Sequence, residues 1–204
     1  MDPHAKTPKG NACPNCFRPL TECWCEQIQS LPNHLPVLIL QHPQETYKVL
    51  NSAQLIRLSL KNCTVRVGLS WAGLKKASGD ENAMPSEWGV LHLSSNAPQD
   101  KPITIVSAKK KPLEDFSKLK GIVILDGSWK QAHALWWRNP WLLRLNKISI
   151  KPVKNSLRPQ AKDAGLSSLE ALAFTLPHLG ESNEVSEKLL ERYKEFVVKP
   201  NLGF

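Results

Sequence analysis

The apolar residues of this chain follow two alternating patterns. Residues 35–40 and 121–125 are continuous apolar runs, as in strands that are buried on both faces of a sheet. After such runs, apolar residues recur every three or four positions, which predicts amphipathic helices. Strands that alternate with helices favour an α/β fold with a mostly parallel sheet and helices on both faces. Four shorter runs predict further strands, at residues 64–69, 88–93, 103–106 and 148–150.

The predicted helices are placed by their apolar faces and their capping residues. Pro43 suits the first turn of the first helix, and a capping box of Ser167 and Glu170 opens a helix over residues 169–176. The segment 75–86 carries glycine and charged residues and is predicted to be a loop. The apolar face of the first helix consists of Val49, Ala53, Ile56 and Leu60. That of the helix after residue 128 consists of Ala132, Leu135 and Trp136. That of the last helix (184–198) consists of Val185, Leu189, Tyr193, Phe196 and Val197.

Four of the five cysteines lie close together near the N-terminus, at Cys13, Cys16, Cys23 and Cys25. In a segment too short for its own core, four thiolates suit a closed tetrahedral zinc site, which is structural rather than catalytic. Two disulfides or free thiols are the alternatives, and an iron–sulfur cluster is a further one. Cys63, at the start of a strand, is expected to be a small buried apolar residue.

The composition divides the chain into three parts. Residues 1–12 are polar and contain two prolines, which predicts a flexible tail without the apolar segment of a signal peptide. Residues 13–30 are the predicted zinc-binding segment, and residues 31–204 are the predicted α/β domain. No apolar run reaches the length of about 18 residues that a membrane span needs. On these grounds the protein is expected to be cytoplasmic and not to associate with a membrane.

The positive charge is concentrated in one block. The formal net charge is +9, and residues 101–162 hold fourteen Lys or Arg against three Asp or Glu, a surplus of eleven. Such a block favours a polyanionic partner, usually nucleic acid, and a solvated basic surface is the alternative. The predicted RNA-binding residues are Lys109, Lys110, Lys111, Lys130, Arg138 and Lys154.

Three loops carry polar residues that a core would not need. They lie at residues 41–45, 126–129 and 155–160, the last leading to 167–170. In open α/β sheets ligands bind beyond the carboxyl ends of strands, so these loops are candidate sites. Each residue also has a structural explanation: Asp126 or Ser128 as an N-cap, Glu45 beside a positive helix end, and Ser167 with Glu170 as a capping box. The glycine patterns of dinucleotide folds and of nucleoside triphosphatases are absent from the sequence.

At these loops the chain resembles the DTW-domain family, the tRNA-uridine aminocarboxypropyltransferases. The family signature is Asp-x-Ser/Thr-Trp after an apolar strand, here residues 126–129, followed by Gln131-Ala132. Ser128 stands where threonine is commoner, and residues 70–71 lack the Tyr-Pro pair that is typical of the family. The other matching motifs are the four cysteines with Arg18-Pro19 between them, His42-Pro43-x-Glu45 with Asn51, Leu157-Arg158 and residues 166–171.

The resemblance implies a SPOUT-like α/β fold whose C-terminal part is threaded into a trefoil knot, an exception to the usual rules of chain connection. It implies S-adenosylmethionine as co-substrate, held largely by backbone groups of loops 125–129 and 158–170, and tRNA as partner. The implied reaction transfers the 3-amino-3-carboxypropyl group to N3 of a uridine and releases methylthioadenosine. The donor-binding residues expected on this basis are Leu125, Gly127, Ser128, Arg158, Ser167, Ser168 and Glu170.

Within this resemblance, Asp126 is the first candidate for the base that removes the N3 proton. Hydrogen bonding to the uracil edge or to the donor's amino group is its alternative role. Trp129 is expected to stack on the target base. His42 and Glu45 lie on a neighbouring loop, where Glu45 is expected to hold the donor's ammonium group. Arg158 is expected to bind a phosphate or the donor's carboxylate.

Other functions fit the same sequence. A SPOUT-type RNA methyltransferase shares the fold and the donor but yields S-adenosylhomocysteine. A zinc-containing RNA-binding protein without catalysis needs only the cysteines and the basic block. Transfer to ribosomal RNA is a further variant, which the N-terminal cysteines disfavour. Core packing, a dimer interface and base stacking are open explanations for three tryptophans of the basic block, Trp136, Trp137 and Trp141.

Overall fold

The computed structural model describes residues 11–48, 51–93, 101–150, 156–157 and 166–198. Its strands are β1 (Val37–Gln41), β2 (Cys63–Val67), β3 (Trp88–Leu93), β4 (Ile103–Val106), β5 (Gly121–Asp126) and β6 (Asn146–Ile150). In this part of the chain they form one sheet in the order β2-β1-β5-β3-β6-β4. Neighbouring strands are parallel except β4 and β6, which are antiparallel. The predicted mostly parallel sheet is therefore confirmed.

Five α-helices occur within the described residues: α1 (Ser52–Ser59), α2 (Leu74–Ser78), α3 (Trp129–Arg138), α4 (Ser168–Thr175) and α5 (Asn183–Tyr193). Short 3-10 turns are Leu20–Glu22, Pro43–Glu45, Pro85–Glu87, Phe116–Lys118, Pro140–Arg144 and Leu176–Leu179, and a π-helical turn, Lys194–Val198, follows α5. None of the described helices has the length and apolar content needed to cross a bilayer.

Helices cover both faces of the sheet, as the sequence predicts. Successive residues of a strand point to opposite faces. Ile39 of β1 therefore belongs to the core that contains residues of α1, α4 and α5. Its neighbour Leu38 belongs to the other core, together with Leu74 of α2 and Leu142 in the turn after α3. Side chains on both faces of β1 are thus removed from water, which is why its sequence is a continuous apolar run.

Two predicted segments differ from the structure. The helix after β1 does not begin at Pro43, because this proline starts a separate 3-10 turn and α1 begins only after Asn51, which caps it. Val49 lies outside the described residues. Residues 74–78, part of which was expected to be a loop, form α2, because Leu74 and Ala77 lie one helical turn apart and are both buried. Gly79 ends this helix in the left-handed conformation, with φ of 80°.

The N-terminal segment packs against the α/β domain. Trp24 is buried, and its ring centroid lies 5.5 Å from that of Phe196 in the π-helical turn after α5. The Arg18 guanidinium lies 4.5 Å from the centroid of the Trp24 ring, and its Nη1 donates to the Phe196 carbonyl at 3.4 Å. On the other side, Arg57 of α1 donates to the Asn15 carbonyl at 2.6 Å. The segment thus contributes apolar side chains to the core that α1 and α5 share.

Part of the predicted organisation lies outside the described residues. This applies to residues 1–10 of the predicted tail, to Lys154 and Arg158, and to residues 158–165 of the loop expected to form the knot. The boundaries at residues 12 and 30, the knot and the SPOUT-like class therefore stay predictions.

Candidate active site

The carboxyl ends of β1 and β5 meet at the centre of the candidate site. These strands are paired in parallel register from Val37 with Ile122 to Gln41 with Asp126. Asp126 is only 6% exposed, and both of its carboxylate oxygens accept hydrogen bonds. Gln41 Nε2 donates to Oδ2 at 2.9 Å, and Ser168 Oγ of α4 donates to Oδ1 at 2.8 Å. One carboxylate therefore joins β1, β5 and the start of α4.

The orientation of the Gln41 amide follows from the N-cap of α1. Asn51 Oδ1 accepts from the backbone N–H groups of Ala53 and Gln54 at 3.0 and 3.3 Å, so this atom is an oxygen and not a nitrogen. Gln41 lies 3.0 Å from the same oxygen and must present its Nε2 to it. The same Nε2 faces Asp126. The cap of α1 thereby determines that Gln41 donates to the carboxylate.

Two consequences follow for the charge and polarity of this region. Both described side-chain partners of Asp126 are uncharged donors, which suits an ionised carboxylate that only accepts hydrogen bonds. Gln41 is fully buried, and its Oε1 has no hydrogen-bond partner among the described residues. Buried hydrogen-bond acceptors usually have a partner. The Gln41 Oε1 atom, close to the Asp126 carboxylate, is therefore a candidate acceptor for a hydrogen bond from a ligand.

The loop from β5 to α3 is a compact capping structure. Ser128 Oγ accepts from the Gln131 N–H at 3.4 Å, and Gln131 Oε1 accepts from the Ser128 N–H at 2.6 Å, which is a capping box. Gly127 is required at its position, because a Cβ there would lie 2.8 Å from Gln131 Cβ. Gln131 Nε2 also donates to Gln44 Oε1 at 3.0 Å. The signature loop is therefore joined to the loop after β1.

That neighbouring loop carries His42 and Glu45. The His42 N–H donates to the Asp126 carbonyl at 3.0 Å, and His42 Nδ1 accepts from the Gln44 N–H at 3.3 Å. Glu45 Oε1 accepts from Lys48 Nζ at 2.7 Å. The structure thus brings His42 next to Asp126 through the backbone, while the Glu45 carboxylate is paired with a surface lysine.

Glu170 organises the start of α4. The predicted capping box with Ser167 is present, with contacts of 2.9 and 3.2 Å. Glu170 is buried and also accepts from Ser156 Oγ at 2.9 Å and from the Leu157 N–H at 2.5 Å. It therefore fixes residues 156–157 beside Ser168, the residue that donates to Asp126.

The tryptophans of the basic block have different surroundings. Trp141 is buried in the core, and Trp136 is half-buried with Lys147 Nζ 5.6 Å from its ring centroid. Trp129 is 59% exposed and Trp137 is 74% exposed. Core packing therefore explains Trp141 but leaves Trp129 and Trp137 without a structural role.

The predicted RNA-binding residues that the structure describes lie in two separate regions. Lys109, Lys110 and Lys111 are exposed and follow β4, whose end pairs with the start of β6. They lie at the amino ends of the parallel strands and three strands away from β5, a lateral separation of about 14 Å. Lys130 and Arg138, in contrast, are exposed on α3, directly after the Asp126 loop.

The four N-terminal thiols form a cluster. All four sulfur atoms lie within 4.8 Å of one another, with 3.7 Å between Cys13 and Cys25 and 3.8 Å between Cys16 and Cys23. A tetrahedron of thiolates around zinc, with Zn–S of about 2.3 Å, has S···S edges of about 3.8 Å. The residues present therefore fit a four-coordinate metal ion.

The thiols of this cluster differ in acidity. Burial disfavours the Cys13 thiolate, but the Cys16 and Asn15 backbone N–H groups stabilise it, and the pKa of Cys13 falls to about 6. Burial raises the pKa of Cys25. Outside the cluster, burial raises the pKa of Cys63 to about 12, so this thiol stays protonated at neutral pH, as expected of a packing residue.

A cavity of about 260 Å³ lies elsewhere, at the amino ends of β1 and β2. It is lined by Pro36, Lys61, Cys63, Thr64 and Ser78, among others. Because Asp126 lies at the carboxyl ends of the strands, this cavity is not part of the candidate site.

Three glutamines of the site lie in predicted motifs, although no individual role was predicted for them. Gln41 and Gln44 link the loop after β1 to the signature loop, and Gln131 completes the cap. A glutamine at the end of an otherwise apolar strand was the available signal for Gln41, because such a position is buried and its amide needs partners.

The motifs that meet around Asp126 are those of a known family. The model of the DTW domain matches residues 10–200. The chain is a member of the DTW-domain family. The matched range of this DTW-domain protein contains the cysteine cluster, the sheet and helices α1 to α5.

Curated relatives of this DTW-domain protein carry one kind of name. The chain is 30% identical over 193 residues to tRNA-uridine aminocarboxypropyltransferase 2 of Drosophila melanogaster, covering 88% of this chain and 71% of the relative. Identity to the protein of that name from Macaca fascicularis is 26% over 197 residues, covering 93% and 62%. Identity to tRNA-uridine aminocarboxypropyltransferase A of Arabidopsis thaliana is 27% over 216 residues, covering 91% and 79%. No solved structure gives a significant match to the chain.

Proposed function

We propose that this DTW-domain protein transfers the 3-amino-3-carboxypropyl group of S-adenosylmethionine to N3 of a uridine in tRNA and releases methylthioadenosine. The observation that carries the proposal is the similarity to transferases of that name over 88–93% of the chain. The meeting of three sequence motifs around one buried carboxylate supports it, because the donor and the uracil both need polar partners at one place.

The reaction has two requirements that side chains can meet. A bond forms between uracil N3 and the donor's Cγ, the bond between Cγ and sulfur breaks, and its electron pair leaves with methylthioadenosine. The N3 proton must pass to a base. The donor must also be oriented so that Cγ, and not the methyl group, faces N3. A sulfonium is already a good leaving group, so orientation and proton removal are the enzyme's main tasks.

Asp126 is the proposed proton acceptor. Its two described side-chain partners, Gln41 and Ser168, are both donors, which suits an ionised carboxylate that acts as a proton acceptor. Gln41 and Ser168 hold it in one orientation from two sides. Because only 6% of Asp126 is exposed, the proposal requires the groups around its carboxylate to move apart when the substrates bind.

The proposed donor site lies between the loop of residues 125–129 and the start of α4. In this proposal Leu125, Gly127 and Ser128 line the donor from the end of β5 and the N-cap of α3, and Ser167 and Ser168 line it from the N-cap and the first position of α4. Glu170 already accepts from three groups, so it acts by fixing the loop rather than by binding the donor directly. Two acceptors of the loop after β1 are proposed partners of the donor's ammonium group. One is Gln41 Oε1, which has no partner among the described residues. The other is the Glu45 carboxylate, which would give up its ion pair with the exposed Lys48 to bind the ammonium.

We propose zinc as the ion of the cysteine cluster. A d¹⁰ ion with four thiolates is a closed site, so it supplies no reaction chemistry and stabilises the fold of the segment. The position of the cluster against Trp24 and the α5 end supports this structural role.

The finer aspects of fold, partner and location complete the proposal. The parallel sheet is compatible with a SPOUT-like domain whose C-terminal region is knotted. The partner is tRNA, the zinc-binding segment and the catalytic domain divide near residue 30, and the protein acts in the cytoplasm. Trp129 stacks on the target base, and Arg158 binds a phosphate or the donor's carboxylate.

The direct test is mass spectrometry of tRNA nucleosides from cells in which the gene has been deleted. We expect aminocarboxypropyl-uridine to disappear and to return when the wild-type gene is supplied, but not when Asp126→Ala is supplied at equal protein level. An unchanged amount of the modified nucleoside in the deletion strain contradicts the proposal.

A further inference from the structure

Helix α3 exposes aromatic side chains that the fold does not use. Trp129 stands at its first position and Trp137 near its last, and they are 59% and 74% exposed. An exposed indole leaves a large apolar surface in water, which is unfavourable for an isolated domain. Among the described residues, Trp137 is the most exposed of the large hydrophobic side chains. These two residues therefore form a candidate contact surface for another molecule.

The two indoles lie on one face of the helix. At 100° per residue, Trp129, Lys130, His133 and Trp137 fall within an arc of about 100°, and eight residues of rise separate the two indoles by about 12 Å. All four are exposed, whereas Leu135 on the opposite side is fully buried. We call these four residues together with Arg138 the α3 face.

The charge of this surface selects the kind of partner. From residue 129 to residue 150 the chain contains two Lys and two Arg and no Asp or Glu. Lys130, Arg138 and Arg144 are exposed, and none forms an ion pair with a described residue. Unpaired cations close in sequence to exposed aromatic rings match a single-stranded nucleic acid, whose phosphates need cations and whose unpaired bases stack on aromatic side chains.

The position of the α3 face relates it to the site. Its Trp129 end follows directly from Asp126, Gly127 and Ser128, and its Trp137 end points away from them along the helix. An RNA strand whose target uridine lies at Asp126 can therefore extend along α3. The separation of about 12 Å between the indoles leaves room for a nucleotide between two stacked bases.

We propose that the α3 face binds the unpaired tRNA nucleotides next to the target uridine, with Trp137 stacking on one base and Lys130 and Arg138 contacting phosphates. This inference rests on the proposed function for the identity of the RNA and of the target base. The stacking role of Trp137 depends only on its exposure and on the charges around it.

The test compares Trp137→Ala with Trp137→Phe and with a matched control. Leu20→Ala is the control, because Leu20 is 58% exposed and lies in the N-terminal segment. Binding of unmodified tRNA is measured by fluorescence anisotropy without donor. Loss of one stacked base is expected to weaken binding by about 5- to 150-fold in Trp137→Ala. Trp137→Phe should recover part of this loss, and Leu20→Ala should bind as the wild type does.

Steady-state kinetics add a second measurement. In Trp137→Ala, KM for tRNA should rise by the same factor as the dissociation constant for tRNA. By contrast, kcat at saturating tRNA and the affinity for S-adenosylmethionine should change less than about twofold, because Trp137 lies away from the reacting atoms.

Two results would overturn the inference. One is tRNA binding by Trp137→Ala that equals binding by Leu20→Ala. The other is a wild-type dimer that dissociates in Trp137→Ala, since the α3 face would then be an interface between copies of the chain. A different result would contradict the proposed function alone. If the wild-type protein forms no modified uridine but Trp137→Ala still weakens tRNA binding, the α3 face binds RNA in a protein with another activity.

Discussion

At the scale of single residues, the surroundings of Asp126 determine what it can do. The backbone amides at the start of α1 fix Asn51, Asn51 fixes the amide of Gln41, and Gln41 donates to Asp126. The motif residues Asp126 and Asn51 were found in the sequence, but the link between them was not. It depends on the pairing of Gln41 with Asp126 across two strands that are 85 positions apart in the chain. Local periodicity contains no information on which distant strands pair.

Asp126→Asn separates the role of a base from that of a structural anchor. An asparagine can accept from Gln41 through Oδ1 and donate through Nδ2 to Ser168, whose hydroxyl can rotate to accept. The variant should therefore fold and bind S-adenosylmethionine, while kcat falls by about 100-fold or more because the base is lost. Single-turnover rates and calorimetric donor binding measure the two effects. Turnover close to that of the wild type in Asp126→Asn contradicts the role of Asp126 as base.

Removal of the Gln41 amide tests the buried network through stability. In Gln41→Leu the volume is nearly kept, but a buried carboxylate loses one of its donors, which should lower the free energy of unfolding by about 2 kcal/mol. Gln44→Leu is the matched control, since its side chain is exposed and its hydrogen bond within the described residues is to Gln131 rather than to Asp126. Urea denaturation of both variants provides the measurement. Equal midpoints for the two would show that the bond to Asp126 does not stabilise the fold.

At the scale of elements, capping residues and apolar spacing explain where helices begin and where the prediction failed. The capping box of Ser167 and Glu170 was predicted, and it is present. Glu170 nevertheless does more than cap, because it also holds residues 156–157, which no local pattern indicates. Helix α2 was partly missed, because it has only five residues and buries only Leu74 and Ala77. Two apolar residues do not form a repeat from which a helix can be predicted. Strands Trp88–Leu93 and Ile103–Val106 were predicted with their observed bounds.

The cysteine cluster gives a prediction for the N-terminal segment. Purified protein should contain one zinc ion per chain, and Cys13→Ser should lose it and unfold at lower temperature, because the proposed metal would tie together the segment that carries the buried Trp24. Cys63→Ser is the control, since this thiol lies outside the cluster. Elemental analysis and thermal melting test both variants. Full zinc content in Cys13→Ser would contradict a four-thiolate site.

At the scale of the whole molecule, the sheet topology places the described basic residues of the 101–162 block in two separate regions, although they are continuous in the sequence. Lys109, Lys110 and Lys111 follow the antiparallel edge strand β4 and lie at the opposite end of the sheet from Asp126. Lys130 and Arg138 lie on α3, the helix that follows the Asp126 loop, with Lys130 at its near end and Arg138 at its far end. A count of charges along the chain could not show this, because it depends on the direction in which β4 runs.

Salt dependence tests which cations contact the RNA. If phosphates are neutralised, the logarithm of the tRNA binding constant should fall linearly with the logarithm of salt concentration. Arg138→Ala should reduce the magnitude of this slope by about one. Lys188→Ala, on α5 and paired with Glu184, should leave the slope unchanged. If Lys109, Lys110 and Lys111 contact phosphates as predicted, their alanine variants should reduce the magnitude of this slope to a similar extent. A binding constant that does not change with salt contradicts phosphate contacts altogether.

The central claim is that the carboxyl ends of β1 and β5 form a site for aminocarboxypropyl transfer. The most direct test is to incubate purified protein with S-adenosylmethionine and unmodified tRNA and to identify the small-molecule product by mass spectrometry. We predict methylthioadenosine in an amount equal to the modified uridine, and none with Asp126→Ala. S-adenosylhomocysteine in its place would identify a methyltransferase and contradict the account.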